Sequence, residues 1–259
     1  MELGLQGKVA LVTGAGSGIG RAIALLFAQE GANIAVNDIN LAAAEQVVGE
    51  VKQIGRQAIA VKANVAEPAD VDAMVARVIN ELGGVHILVN NAGIPPESSP
   101  TLDLHDVSQW DKIVAVNLRG TYLCSQRAAQ WMARHKEGKI VNIASICGIA
   151  GFKQHASYGP AKAGIINLAR TLAVEWAEYN ININCIAPGF VMTPLIEQGI
   201  KLGAVDVEAV KRCVPFRRFA NPEEIAKAAL FLASDDSTFI TGVTIPVDGG
   251  FLAGGFQGL

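Results

Sequence analysis

Short, charge-poor apolar runs alternate along this chain with segments of helical periodicity, and this alternation restricts the fold more than any other feature. The strand candidates are Lys8–Thr13, Asn33–Asp38, Ala58–Lys62, His86–Asn90, Lys139–Ser145, Ile181–Ala187 and Val243–Val247. Between them the spacing predicts helices over Gly18–Gln29, Leu41–Ile54, Pro68–Leu82, Val107–His135, Ser157–Tyr179 and Pro222–Ala233. Strands so poor in charge need cover on both faces. The pattern therefore predicts an α/β domain, a doubly wound parallel sheet of about seven strands with helices on both sides. No linker-like composition shift, repeat or low-complexity tract divides the 259 residues, so residues 1–259 are expected to form a single domain. The stretch Thr193–Pro215 interrupts the alternation and reads as an inserted pair of short helices, a lid over one end of the sheet.

Composition removes several function classes. At 51% hydrophobic residues the chain is too apolar to be disordered. A formal charge of −3 and the absence of any Lys/Arg run give no electrostatic footprint for nucleic acid. No uninterrupted apolar stretch reaches the roughly 18 residues of a membrane span. The segment Met1–Lys8 has no apolar signal region, so a cytoplasmic location without a membrane partner is expected. Cys124, Cys147, Cys185 and Cys213 lie far apart with no CxxC pair and read as reduced thiols, mostly in the core.

The first strand runs directly into Thr13-Gly14-Ala15-Gly16-Ser17-Gly18-Ile19-Gly20 and then into a helix. Glycines allow positive φ and let backbone approach a phosphate without interference from a Cβ. The helix start offers free N–H groups and the positive end of a dipole to a pyrophosphate. Asp38 closes the second strand, 24 residues after Gly14, where an acid can accept hydrogen bonds from an adenosine ribose. Such an acid repels a 2′-phosphate, and no Arg or Lys lies beside it in the sequence or at Ser17. NAD is thereby favoured over NADP, in a fold of the Rossmann type.

Tyr158 and Lys162 are four residues apart at a predicted helix start and share a face. A tyrosine titrates near pH 10 and is a weak base at neutrality, but an ammonium close by favours its phenolate. Ser145 stands at the carboxyl end of the fifth predicted strand, the sheet edge where ligands bind in open α/β folds. Its hydroxyl is placed to hold a substrate oxygen opposite the tyrosine. Pro160 falls in the first helical turn, where proline is tolerated.

These pieces together resemble the classical short-chain dehydrogenase/reductase family over nearly the whole chain. The matching motifs are Thr13-Gly14-x-x-x-Gly18-x-Gly20, Asn90-Asn91-Ala92-Gly93, Asn117, Ser145, Tyr158-x-x-x-Lys162, Pro188-Gly189 and Val247-Asp248-Gly249-Gly250. The resemblance implies that Tyr158 is the catalytic acid/base, that Ser145 orients the carbonyl or hydroxyl, and that Lys162 binds the nicotinamide ribose and lowers the tyrosine pKa. It implies that Asn117 holds a water in a proton relay through Lys162. Asn91, Ala92 and Gly93 would line the cofactor near adenine and its ribose, with Gly14, Ser17, Gly18, Ile19 and Gly20 forming the phosphate loop. Pro188, Gly189 and Val191 lead to Thr193, which would contact the nicotinamide carboxamide. Asn64-Val65 stands where many relatives have Asp-Val, and its amide can still hydrogen-bond adenine. His86 replaces a usual Asp and reads as a surface strand residue. Relatives are usually tetramers built on two long helices, so a homotetramer is expected, with Trp131 and Met132 packed in the core or at a subunit seam.

The substrate pocket is expected to draw on Pro95 to Ser99 (Glu97 among them), Ser145, Cys147, Phe152, Gln154, His155, Phe190 and the lid residue Leu195. A largely apolar pocket suits a neutral secondary alcohol or ketone, whereas Glu97, Gln154 and His155 suit extra hydroxyls, as on a sugar or polyol. His86, His105, His135 and His155 show no ligand spacing, so no metal is expected. Of the four, His155 alone is within reach of the pocket, where a supporting role ranks ahead of a direct one. Cys147 has no paired base and is not read as a nucleophile. The motifs lead to an NAD-dependent secondary-alcohol dehydrogenase with a small-molecule substrate. A 3-oxoacyl carrier-protein reductase fits the same motifs, although Val174 stands where a docking cation is expected and only Lys136 and Arg170 leave room for one. A silent dinucleotide sensor is disfavoured because Asn117, Ser145, Tyr158 and Lys162 are all retained.

Overall fold

In the computed structural model, residues 4–95 and 107–254 are described. Seven parallel strands, β1 (Val9–Val12), β2 (Asn33–Asp38), β3 (Ala58–Lys62), β4 (Ile87–Asn90), β5 (Gly138–Ile143), β6 (Ile181–Pro188) and β7 (Thr244–Val247), form one sheet in the order 3-2-1-4-5-6-7. The winding reverses between β1 and β4, whose registers pair Ala10 with Ile87 and Val12 with Val89. Such a switch point opens a crevice at the carboxyl ends of the strands.

Alternation along β1 shows how the sheet is covered. Ala10 and Val12 face one core with Ile23 and Phe27 of α1 (Gly18–Gln29), Val47 of α2 (Leu41–Gln53) and Leu230 of α9 (Pro222–Ala233). Val9 and Leu11 face the other, with Met74 of α3 (Pro68–Leu82), Met132 of α5 (Gly120–His135) and Ile165 of α6 (Tyr158–Glu175). Successive strand residues point to opposite faces, so a strand covered on both sides must be apolar at every position. A third, smaller cluster around Ile146, Val210, Val214, Phe219 and Phe251 lies beneath α7 (Pro194–Lys201) and α8 (Val207–Cys213).

Several elements differ from the sequence expectations. The helix expected over Val107–His135 is interrupted: α4 covers Ser108–Val114, a π-helical turn covers Ala115–Arg119, and α5 follows. That turn carries Asn117 at its centre, and π turns of this kind recur at functional sites. The predicted Ser157–Tyr179 helix ends at Glu175, with a separate 3₁₀ turn over Ala177–Tyr179. Strand β5 stops at Ile143, so Ser145 sits beyond it as the cap of a 3₁₀ turn, Ile146–Gly148. His86 is no surface strand residue: it is half-buried, its Nδ1 accepts the Val9 N–H (3.1 Å), and its ring meets Trp131 edge-on at 4.7 Å. Trp131 in turn stacks on His135, while Met132 is fully buried. Of the four free thiols, Cys124 and Cys185 are in the core and Cys147 and Cys213 are half-buried. No described helix is long and apolar enough to cross a membrane.

Candidate active site

The glycine loop is shaped by what its residues lack. Gly14 (φ +61°) and Gly18 (φ +54°) take the left-handed backbone that disfavours a side chain. A Cβ at Gly20 would collide with the Gly14 carbonyl, and one at Gly14 would stand 2.8 Å from the Ala92 Cα. At Gly16 a Cβ would come within 2.7 Å of Asp38 Oδ2, whereas the bare residue donates its N–H to that oxygen at 2.9 Å. Asp38 Oδ1 accepts from Asn40 N–H, also at 2.9 Å. Ser17 caps α1 without a side-chain hydrogen bond, so its hydroxyl consumes none of the first-turn N–H groups. On the far side, Asn91 Nδ2 donates to the carbonyls of Thr13 (3.0 Å) and Gly14 (2.9 Å), tying the loop after β4 to the loop after β1.

Together these segments line a cavity of about 660 Å³ that takes in Gly14, Ser17, Gly18, Ile19, Asp38, Asn64, Val65, Asn91, Ala92, Gly93, Thr193 and Leu195. Free helix N–H groups, a backbone cradle without Cβ atoms and a carboxylate at the end of β2 suit a dinucleotide's pyrophosphate and ribose. Gly20 packs beneath the loop and does not line the cavity, nor do Tyr158, Lys162, Pro188, Gly189 and Val191. Thr193 caps α7, its Oγ1 accepting from Ile196 N–H at 3.4 Å, and approaches the loop where a Gly18 Cβ would stand 3.5 Å from its methyl. Pro188-Gly189 is held by Asp248, whose Cα would meet a Gly189 Cβ at 2.8 Å. Of the Asn64 amide, the oxygen is already engaged: Oδ1 accepts the Ala66 N–H at 3.1 Å.

Several cavity residues escaped the sequence reading, among them neighbours of called positions such as Asn37, Ala66 and Ile94. Ile39, next to Asp38, and Lys112 and Val116 of the α4 region also line the cavity. Ile39 was findable by following β2 one residue past its acid. Lys112 and Val116 come from a distant helix with no local motif. A cation also lies closer to Asp38 than sequence neighbours indicate, because the register sets Lys62 opposite it on β3. Lys62 is exposed and is not part of the cavity lining.

Ser145, Tyr158 and Lys162 converge because Gly148 lets the 3₁₀ turn lie directly on α6. A Cβ there would stand 2.7 Å from the Lys162 carbonyl carbon. Ser145 is buried, accepts the Cys147 N–H at 3.1 Å and is near enough to the Tyr158 phenol to act on its ionisation. Lys162 is buried too, donates to the Ile143 carbonyl at 2.8 Å and sits 5.5 Å from the centre of the Tyr158 ring. Burial pushes the Lys162 ammonium down to about 8. The resemblance implies a lowered Tyr158 phenol, but here burial, reinforced by Cys147 and opposed by Ser145, pushes it up to about 12. At neutral pH these residues alone therefore hold Tyr158 as a proton donor.

Asn117 is fully buried, and its amide is committed rather than free for a water. Its Oδ1 accepts the Ile94 N–H (2.8 Å) and its Nδ2 donates to the Ile94 carbonyl (3.1 Å). The clamp fixes the loop after β4 beside Lys162, where a Gly93 Cβ would stand 3.2 Å from Asn117 Oδ1 and 3.7 Å from Lys162 Nζ.

A second cavity, about 810 Å³, adjoins this cluster and is lined by Cys147, Phe152, Gln154 and His155, with Lys153, Pro160 and Ala163. Leu195 faces the first cavity instead. Phe190 lines neither; it packs edge-on against Phe219 and Phe251 (6.4 and 5.6 Å) beside a separate cleft. Pro95 is exposed and lines neither, while Glu97 lies outside the described residues. Burial raises the Cys147 thiol, which keeps it protonated and unreactive as a nucleophile. Among the described residues no group of three or more His, Cys, Asp and Glu side chains is arranged to hold a metal ion.

Comparison with known proteins gives a consistent picture. The family described as enoyl-(acyl carrier protein) reductase matches residues 14–252. A cyclohexanol dehydrogenase of Acinetobacter sp. (strain SE19) is 41% identical over 244 residues, 94% of each chain. A 3-oxoacyl-[acyl-carrier-protein] reductase of Thermotoga maritima is 39% identical, covering 96% of this chain and 99% of its own. A crystal structure of a 7α-hydroxysteroid dehydrogenase with NADH and 7-oxo glycochenodeoxycholic acid superposes with a TM-score of 0.90, at 35% identity and 96% coverage of both chains.

Proposed function

The chain belongs to the classical short-chain dehydrogenase/reductase family of oxidoreductases, and from that premise we propose that it interconverts a secondary alcohol and a ketone by hydride transfer, with NAD as cofactor. The observation that carries this reading is the convergence of Ser145, Tyr158 and Lys162 beside a backbone cradle open to a pyrophosphate. When bound, the nicotinamide supplies the hydride acceptor or donor. Tyr158 gives its proton to the carbonyl oxygen in reduction and takes it back in oxidation, while Ser145 holds that oxygen in place. Lys162, fixed by the Ile143 carbonyl, binds the nicotinamide ribose and supplies positive charge when the phenolate forms. Asn117 acts as a positioning residue through its clamp on Ile94. Gly14, Ser17, Gly18 and Ile19 take the pyrophosphate, and Asn64, Val65 and Asn91 to Gly93 line the adenosine half.

Asp38 supports NAD over NADP: its carboxylate is held at the cavity by two backbone N–H groups, where a 2′-phosphate would face a negative charge. The same reading makes the protein a cytoplasmic homotetramer acting on a free small molecule, with no nucleic-acid or membrane partner. Support for the tetramer is the exposed apolar side of the α4–α5 region, with Val107, Trp110 and Tyr122. The second reading, a 3-oxoacyl carrier-protein reductase, is favoured by the Thermotoga relative and weakened by Val174, which is 82% exposed where a cation would meet an acidic carrier. Steady-state assays with NAD and NADP against secondary alcohols, polyols and a 3-oxoacyl thioester decide between them. NAD-linked oxidation of an alcohol upholds the first reading; NADPH-linked reduction of the thioester alone replaces it with the second.

A further inference from the structure

The loop leading into α6 carries a histidine that the hydride-transfer chemistry does not use. Lys153, Gln154 and His155 follow Phe152 along the rim of the larger cavity, and Gln154 is a non-glycine residue in the left-handed region (φ +62°). Such a conformation costs on the order of 1 kcal/mol or more and persists where the surroundings enforce it. Here it reverses the chain, so that the His155 imidazole folds back on the residue two positions earlier: Nδ1 lies 2.7 Å from the Lys153 carbonyl oxygen. A carbonyl oxygen only accepts, so Nδ1 carries the hydrogen and donates it. In the neutral ring Nε2 is then a bare lone pair. The ring also lies edge-on to Tyr158, centres 6.0 Å apart, and 5.7 Å from Phe152, whose other neighbour is the stacked Phe251.

We infer that His155 is a specificity-determining residue whose Nε2 accepts a hydrogen bond from a second hydroxyl of the substrate, on the carbon next to the reacting carbinol or one further. The inference rests on the alcohol–ketone reading above. With ring centres 6.0 Å apart, the phenol and the imidazole are close enough for one small molecule carrying two neighbouring oxygens to meet both. Vicinal and 1,3-diols are the compact molecules of that kind. The sign of the contact is selective as well. A lone pair welcomes an O–H donor and repels a carbonyl, ether or carboxylate oxygen, so a 3-oxoacyl thioester, which offers acceptors there, is disfavoured. Phe152 supplies the apolar wall against which the carbon skeleton lies. The substrate class is therefore a compact diol or hydroxyketone.

The test compares kcat/KM for cyclohexanol with that for cis- and trans-1,2-cyclohexanediol, in the wild type and in His155→Phe and His155→Gln. The expected result is a preference for at least one diol of about tenfold, expressed in KM, equivalent to about 1.4 kcal/mol. His155→Phe brings that ratio close to one. His155→Gln, whose amide oxygen also accepts, restores part of it, which a merely structural histidine would not do. A wild type without a diol preference, or a ratio untouched by His155→Phe, overturns the inference and leaves the alcohol–ketone reading standing. Failure to oxidise any of these alcohols with NAD or NADP overturns both.

Discussion

Around Gly14, Gly16 and Gly20 the backbone leaves no room for one added methyl group, whereas at Gly151, on the wall of the larger cavity, a Cβ would meet nothing within 4 Å. Both regions lie past carboxyl ends of strands, the first after β1, β2 and β4 and the second after β5. The first packs main chain against main chain at Gly14 and Gly20, and main chain against the Asp38 carboxylate at Gly16. Its selectivity lies in shape and in the direction of N–H groups. The second is made of side chains on a loop, Phe152, Gln154 and His155, of which His155 lies edge-on to Tyr158. There the backbone has room for an added side chain at Gly151. On the proposed reading, the first wall holds the cofactor and the second meets the substrate.

The largest effect expected is on the chemistry both walls serve. Tyr158→Phe removes the proton donor and lowers kcat by at least about 10³-fold, while the cofactor Kd, read by fluorescence titration, changes by less than about threefold. Substantial turnover in that variant would mean that the proton passes elsewhere. Because burial raises the Tyr158 pKa, the phenol stays protonated across neutral pH. Alcohol oxidation, which needs it deprotonated, should rise about fivefold or more per pH unit between pH 6 and 8, with ketone reduction nearly level over the same range. A falling oxidation profile would contradict the sign of that shift.

The cradle can be broken directly. Gly20→Ala forces a methyl into the Gly14 carbonyl and should cost about 2–3 kcal/mol of stability, a Tm drop of roughly 5–10 °C by calorimetry, together with cofactor affinity. Asp38→Ala should shift the NADH/NADPH affinity ratio by about tenfold toward NADPH, as a removed like charge at an effective dielectric near 20 allows. An unchanged ratio would reduce Asp38 to a bracket for Gly16 and Asn40. The smallest effect belongs to the open wall: Gly151→Ala should alter stability by less than about 0.5 kcal/mol in a denaturant melt. A large loss there would show that the two regions do not differ as their geometry indicates.

Much of the cradle was legible in the order of residues, because a strand, a glycine turn, a helix start and an acid at the next strand end are neighbours along one βαβ unit. The same local logic located Tyr158 and Lys162 on one helical face. It failed where partners come from far apart. His86 reads as a surface residue until β1 supplies the Val9 N–H and α5 supplies Trp131. Asp38 reads as free of cations until the register sets Lys62 opposite it. Leu195 and Phe190 read as substrate-pocket residues, yet packing turns one toward the glycine loop and the other into an aromatic cluster.

By itself, then, the sequence determined the layering of the domain and the pairing of Tyr158 with Lys162 on one helix, since both depend on periodicities and spacings of a few residues. The electrostatic state of those groups was decided only by tertiary structure. Burial, not the nearby lysine, governs the Tyr158 phenol, and Ile94 consumes the Asn117 amide. Only there, too, does a reversed turn at Gln154 choose which imidazole nitrogen of His155 keeps its lone pair. Desolvation and hydrogen-bond partnership depend on what the fold brings within a few ångströms, and no spacing along the chain specifies that.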